Sequence, residues 1–387
     1  MPIEKHRARR GIRICMLTSD HSAFDGRIFH KEAVSLRRRY AQVWVMAPGE
    51  GGAVVKQGVE VLPLRRPKGA LGVLRMLLEM TRRGSRLQAD VYHCHELESL
   101  WVAGRIAARG GAKLVYDAHE FYADRFAERL PVWMRPPARF ALNVGERVLC
   151  RNADHVVTVS EELAAKFGGW GHRVAVVENL ALEVGSPEGS PPIQRGNEET
   201  IGIYVGGLYR ERGILEIVKA ISIARSRGVN VKLLLIGPSF GGFADEVRRR
   251  AAGLGIERFV ELVGRVPFDE VFGYLRQADF GLVTDYPEPR NLNSVCVKLF
   301  EYMQAGLPVV ANDLPAMARI IREAQCGLLT SSVRPNDIAE AIVRLLSDDG
   351  SMRKMGQNGR GAFLDKYQWK LAEERLLGTY DQLGREP

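Results

Sequence analysis

Asn293-Ser294-Val295-Cys296-Val297-Lys298 runs directly into Leu299-Phe300-Glu301-Tyr302-Met303. Lys298 and Glu301 stand three residues apart, on one side of a helix. The start of that helix offers unpaired N–H groups and the positive end of its dipole, a setting that holds a diphosphate. Glu301 lies in an apolar stretch, where a carboxylate is costly without a partner; a pair of sugar or ribose hydroxyls would supply one. The same spacing also reads as an exposed Lys–Glu pair that only supports the helix. Upstream, a β-branched run closes in Gly206-Gly207 and is followed by Arg210-Glu211-Arg212-Gly213. Glycine lets a backbone approach phosphate, and Arg212 brings a fork of donors suited to its oxygens. A Gly-Gly turn ending a strand is equally an ordinary turn.

The first half carries polar residues at strand ends, where an α/β domain puts its chemistry. Thr18-Ser19-Asp20-His21-Ser22-Ala23-Phe24-Asp25-Gly26-Arg27 follows one strand-like run, and Asp25 reads either as a site residue or as the cap of the next helix. Asp117-Ala118-His119-Glu120 closes another run, and His119 reads either as a cleft residue or as a satisfied core histidine. His93-Cys94-His95-Glu96 has a metal-like composition. Its alternate residues are taken to face opposite sides of the strand end, and no third ligand stands at a recognisable spacing, so no metal site is expected. Neither HExxH nor Asp-x-Asp occurs.

These residues need elements to hold them. β-branched runs recur at 12–18, 42–47, 59–64, 90–93, 113–119, 155–160 and 173–178, with helical spacing in most of the gaps, as over 27–38 and 71–88. Gly185-Ser186-Pro187-Glu188-Gly189-Ser190-Pro191-Pro192 then has turn formers and no periodicity, the mark of a linker. A second series follows at 200–205, 231–237, 259–263, 279–284, 307–311 and 327–330. The pattern predicts two doubly wound parallel-sheet domains, 1–184 and 200–368, joined by a linker at 185–199 and facing a central cleft. A final helix, 369–387, would pack back on the first domain.

Composition narrows the function classes. At 387 residues the chain exceeds one core, with a prior of about 150 residues per domain. Apolar residues at 46% and charged residues at 26% exclude a disordered or collagen-like chain. No run approaches the roughly 20 apolar residues of a spanning helix, and no secretory leader is read at the basic N-terminus, so a cytoplasmic protein is expected. Five dispersed cysteines without CxxC read as small hydrophobes in a reducing compartment. The net charge of +9 is uneven: residues 1–190 hold 29 basic and 21 acidic side chains, against 26 and 25 in the remainder. An anionic partner for the first half follows. Residues 71–88, with Arg75, Arg82, Arg83 and Arg86, and the aromatic edge of Trp133 and Phe140 point to an anionic membrane surface bound peripherally; a core-facing helix competes with that reading. Nucleic-acid motifs are missing, so nucleic acid is not an expected partner.

Residues 200–350 resemble the nucleotide-sugar domain of glycosyltransferase family 4, retaining enzymes of GT-B architecture. The resemblance rests on the Gly-x-Leu-x-x-x-Arg-Gly turn and the helix bearing Glu301 before Gly306-x-Pro308-Val-Val. It implies that Arg212 clamps the donor diphosphate and Glu301 the ribose, that Pro238 and Ser239 line the nucleotide, and that Val266 flanks the base. The first half resembles one branch of that family through Asp25-x-Arg27-Ile-Phe-x-Lys31-Glu32. There the resemblance implies that Arg27 meets the donor phosphate or an anionic acceptor, and that His119 approaches the donor sugar. Two departures stand out: Gly207 replaces a frequent Arg, whose contact Lys298 would take over, and Asn293 replaces a Glu that touches the donor sugar. The implied activity is sugar transfer from a nucleotide-diphosphate sugar to a glycan, lipid-linked or small-molecule acceptor. Transfer would retain configuration and use no metal or other cofactor. A nucleotide-sugar epimerase and a non-catalytic nucleotide-binding subunit are the rival readings.

Overall fold

The computed structural model of the chain describes residues 9–128, 130–185, 193–292 and 294–384. Residues 186–192 of the expected linker lie outside them. The chain divides into two units, Met1–Asn179 with Trp369–Pro387, and Leu180–Gln368.

The first unit is built on eight strands: β1 (Arg9–Leu17), β2 (Tyr40–Pro48), β3 (Val54–Lys56), β4 (Val59–Leu64), β5 (Val91–Cys94), β6 (Lys113–Ala118), β7 (His155–Thr158) and β8 (Val174–Val176), in the order β3-β4-β2-β1-β5-β6-β7-β8. All neighbours are parallel except β3 and β4. Every expected run forms its strand. β3 is additional, a short edge piece turned back through Gln57 and Gly58, both at positive φ, and it has no apolar alternation to announce it. β5 and β7 are buried along their whole length, as parallel strands covered on both faces are. Cys15, Leu17, Tyr92, Cys94, Leu100, Tyr116 and Phe167 form part of the core.

After β1 the chain enters a helix whose first turns, Gly26–Ala33, are wide: the His30 N–H reaches the Asp25 carbonyl five residues back, at 3.2 Å. Widening a turn changes which residues share a face. Arg27, His30, Lys31 and Glu32 are therefore buried along with Ile28 and Phe29. The helix Gly69–Leu87 buries Met76, Met80 and Gly84 and leaves Leu71, Leu74 and Leu78 exposed. The core-facing reading of this segment is thus partly met, with the core face set by methionines rather than leucines.

The second unit has six parallel strands: β9 (Thr200–Val205), β10 (Val231–Ile236), β11 (Val260–Gly264), β12 (Phe280–Val283), β13 (Val309–Asn312) and β14 (Gly327–Thr330). Their order, β11-β10-β9-β12-β13-β14, is that of a dinucleotide-binding fold, with its topological switch between β9 and β12. In the first unit the equivalent switch lies between β1 and β5. The last helix, Trp369–Leu383, belongs to the first unit: the Trp369 indole donates to Ser35 Oγ at 3.0 Å, and the Tyr380 hydroxyl stands 2.7 Å from His93 Nδ1. Among the described residues no helix is long and apolar enough to cross a membrane. Cys15, Cys94, Cys150 and Cys326 are buried and Cys296 is half-buried, all as free thiols.

Candidate active site

In the second unit polar residues gather where β9 and β12 part. Gly206, just past β9, adopts φ +136°, and Lys298 lies against it: a Cβ there would stand 3.4 Å from Lys298 Cε. Lys298 comes from the helix Val297–Ala305 and is only 8% exposed. Its ammonium donates to the Tyr204 hydroxyl at 2.9 Å, sits 4.0 Å from the centre of that ring, and is 4.0 Å from Asp285 Oδ1. Arg212 donates to Asp285 Oδ2 at 2.5 Å. Burial works against the Lys298 charge, but Tyr204 and Asp285 outweigh it and raise the pKa. Arg212 is raised by the same balance, with Asp285 the main opposing influence. The two cations named from sequence thus meet on one carboxylate, Asp285, which sequence reasoning missed. Its only advance signal was an acid directly after the strand run at 279–284.

The other expected donor-side residues surround this pair unevenly. Glu301 is half-buried one turn further along the Lys298 helix; Ser294 is exposed and Val295 half-buried before it. Asn293 lies outside the described residues. Pro238 and Ser239 follow β10, where the Leu208 N–H bonds to the Pro238 carbonyl at 2.9 Å. The Ser239 hydroxyl is buried without a hydrogen-bond partner among the described residues. Val266 is half-buried in the loop after β11. At Gly207 a Cβ would lie 2.4 Å from the Tyr209 ring, which stacks on Phe240 with centroids 5.2 Å apart.

The first unit builds a second cluster at the ends of β1, β5 and β6. Glu96 joins the two strands at the switch, accepting from Thr18 Oγ1 at 2.5 Å and from the Ser19 N–H at 2.9 Å. Asp25 caps the wide helix, accepting from the N–H groups of Arg27 and Ile28, so the capping reading describes its structural role. Its other oxygen is 3.5 Å from His21 Nδ1. His119, just after β6, brings Nε2 to within 3.2 Å of His21 Nε2. His21, Glu96, His119, Glu120, Tyr122 and Arg125 line a small hollow there. Burial, joined by Arg27, His21 and His95 and opposed by Asp117, leaves the His119 pKa below its ordinary value.

Arg27 requires a correction. Its guanidinium points inward, with Nε 2.9 Å from both Asp117 Oδ2 and Glu32 Oε1, and it donates to the Val177 carbonyl at 3.0 Å. At 5% exposure it is a buried structural cation, and the widened turn is what swings it inside. The reason given against a metal at His93 and His95 also fails. Residues two apart on a strand share a face, and these rings stack at 4.8 Å. Glu32, His93, His95 and Asp117 offer one ligand atom each, all within 4.8 Å of one another. That space already holds a cation, Arg27, against both carboxylates. His95 is buried, at the inner wall of the hollow beside His119.

Residues 26–180 match a family profile described as Glycosyltransferase Family 4, and residues 199–348 match one described as Glycosyl transferases group 1. A D-inositol 3-phosphate glycosyltransferase of Rhodococcus jostii is 25% identical over 391 aligned positions, covering 96% of this chain and 81% of that protein. A protein of Methanocaldococcus jannaschii named as an uncharacterized glycosyltransferase is 23% identical over 232 residues, and the match spans 60% of each. Sucrose-phosphate synthase from Thermosynechococcus elongatus shares the fold, with a TM-score of 0.77 at 17% identity over 96% of this chain and 99% of that one. So does Anabaena HepE, solved with UDP-glucose, with a TM-score of 0.72 at 17% identity over 96% of this chain and 100% of that one.

Proposed function

The chain belongs to the glycosyltransferases, joining a Family 4 domain to a group 1 domain in GT-B architecture, and from that premise we propose that it transfers a sugar from a nucleoside-diphosphate sugar with retention of configuration. The observation that carries this reading is the pairing of Arg212 and Lys298 on one carboxylate at the switch point of the second sheet. Two cations against Asp285 leave one positive charge in surplus in a largely buried place, which an arriving diphosphate would balance. Breaking the sugar–phosphate bond places negative charge on the leaving diphosphate, and donors already aimed at it lower the barrier. A leaving phosphate oxygen then accepts the proton of the acceptor hydroxyl, which attacks from the same face. Glu301 holds the ribose hydroxyls, Ser239 and Pro238 border the nucleotide, and His119 acts as a catalytic residue. Gly206 keeps the approach open, with Ser294 and Val295 beside the donor.

The solved neighbours bound to UDP and UDP-glucose support a nucleotide-sugar donor for this chain. With fixed cations to take the diphosphate charge, the reaction proceeds without a divalent ion; transfer should persist in excess chelator, and its loss there would refute this part. The rival readings, epimerase and binding subunit, gain nothing from the relatives. Calorimetric titration with UDP, GDP and ADP tests the donor site directly. At least one should bind, and Arg212→Ala and Lys298→Ala should each weaken it by about ten- to a hundredfold, the range of one charged hydrogen bond. Unchanged affinity in both variants would overturn the assignment.

The acceptor side is proposed to meet an anionic membrane surface. The helix Arg135–Cys150 and the turn before it expose Trp133 (77%), Phe140 (73%) and Val148 (65%), with Arg139 and Arg147 also exposed. Apolar side chains ringed by arginine suit the interfacial zone of a negatively charged bilayer. The protein should sediment with vesicles containing phosphatidylserine at low salt and lose this with Trp133→Ser and Phe140→Ser; equal sedimentation with neutral vesicles would count against it.

A further inference from the structure

Two imidazole nitrogens face each other across 3.2 Å, Nε2 of His21 and Nε2 of His119, and contact at that distance requires one to donate and the other to accept. The groups around them decide which. His21 Nδ1 faces Asp25 Oδ2 at 3.5 Å, and Asp25 is held as a carboxylate by the N–H groups of Arg27 and Ile28. His21 Nε2 is also 3.6 Å from Glu96 Oε1, whose carboxylate already accepts from Thr18, Ser19 and Ser99. A bare lone pair on His21 Nε2 would therefore point at a carboxylate oxygen, whereas an N–H there satisfies both His119 and Glu96. With hydrogen on both nitrogens His21 is an imidazolium. His119 must then accept at Nε2 and carry its own proton on Nδ1, which lies 3.8 Å from Asp117 Oδ1.

We propose that His21 is a positioning residue that, as a cation, fixes His119 as the neutral Nδ1–H tautomer. The pair holds a single positive charge, and that charge sits on His21, the more exposed of the two rings. Asp20 adds negative charge beside His21; on His119 burial opposes a cation and, although Asp117 favours one, Arg27, His21 and His95 also oppose it. Burial opposes the His21 charge, but Asp25, then Glu96 and Asp20, raise its pKa to about 9. The inference rests on the reading of His119 as catalytic only for its effect on rate; the tautomer follows from the geometry alone.

Nitrogen-15 NMR of the full chain labelled at histidine separates these levels, with resonances assigned by single substitutions. At pH 7.5 His21 should show both nitrogens protonated, and His119 a protonated Nδ1 with a bare Nε2. In His21→Ala the fixed tautomer should give way to a mixture, with kcat falling by about tenfold while KM for the nucleotide sugar stays within about twofold. His21→Gln, whose amide N–H reaches the place of Nε2, should restore both the tautomer and most of kcat. A charged His119, a proton on its Nε2 in the parent protein, or a tautomer unmoved in His21→Ala would overturn the proposal. A tautomer that responds while kcat does not would uphold the pairing and overturn the role read for His119.

Discussion

A guanidinium enclosed as fully as that of Arg27 depends on its carboxylates, and the two beside it are not equivalent. Burial would raise Asp117, but Arg27 chiefly, with His95 and His119, takes its pKa well below the usual 3.8. Burial dominates at Glu32 and carries it well above 4.5, so Glu32 is the acid of this pair that takes up a proton first as pH falls. The sign follows: a raised native pKa contributes stability below about pH 4.5 that is lost as pH rises through the native value. Glu32→Gln cannot ionise, so its melting temperature should fall less than that of the parent between pH 6 and pH 9. Asp117→Asn, which leaves Arg27 short of its partner, should cost about 3–5 kcal/mol throughout. Thermal melts at the two pH values decide it, and equal destabilisation by both substitutions would refute the assignment. Residue type and place along the chain's elements were legible for Arg27, Lys298 and His119, but not the direction each side chain takes. Arg27 turned inward because a helix turn is wide, and periodicity at 3.6 residues carries no sign of that.

At the level of elements, the turn after β9 and the turn after β10 press against each other. Gly237 has φ +142°, and a Cβ on it would stand 2.0 Å from the Gly206 carbonyl oxygen. Gly237→Ala should therefore cost at least the roughly 1–3 kcal/mol of backbone strain, and it should displace Gly206 from Lys298, weakening nucleotide binding along with stability. Denaturant unfolding and nucleotide titration on the same variant would read both effects, and a fully stable variant with parental affinity would refute the coupling. Strand runs were legible because buried parallel strands are nearly continuous in β-branched residues. The runs did not carry strand order, and so Asp285 was missed: only the placing of β12 beside β9 brings it to Arg212 and Lys298.

On the scale of the molecule, the first unit is discontinuous in sequence, since Trp369–Leu383 completes it after the whole of the second. Trp369, Leu376, Tyr380 and Leu383 are buried, and Tyr380 is the hydrogen-bond partner of His93. Removing residues 369–387 should lower the melting transition of the first unit and leave that of the second in place, because the lost contacts described for this helix all lie in the first unit. Calorimetry with nucleotide added to mark the second transition would test this, and a uniform shift of both would refute it. This arrangement also fixes an order of assembly on the ribosome. Every residue of the later lobe has been polymerised before Tyr380 emerges, so the earlier lobe waits, unfinished, for the later one to be made.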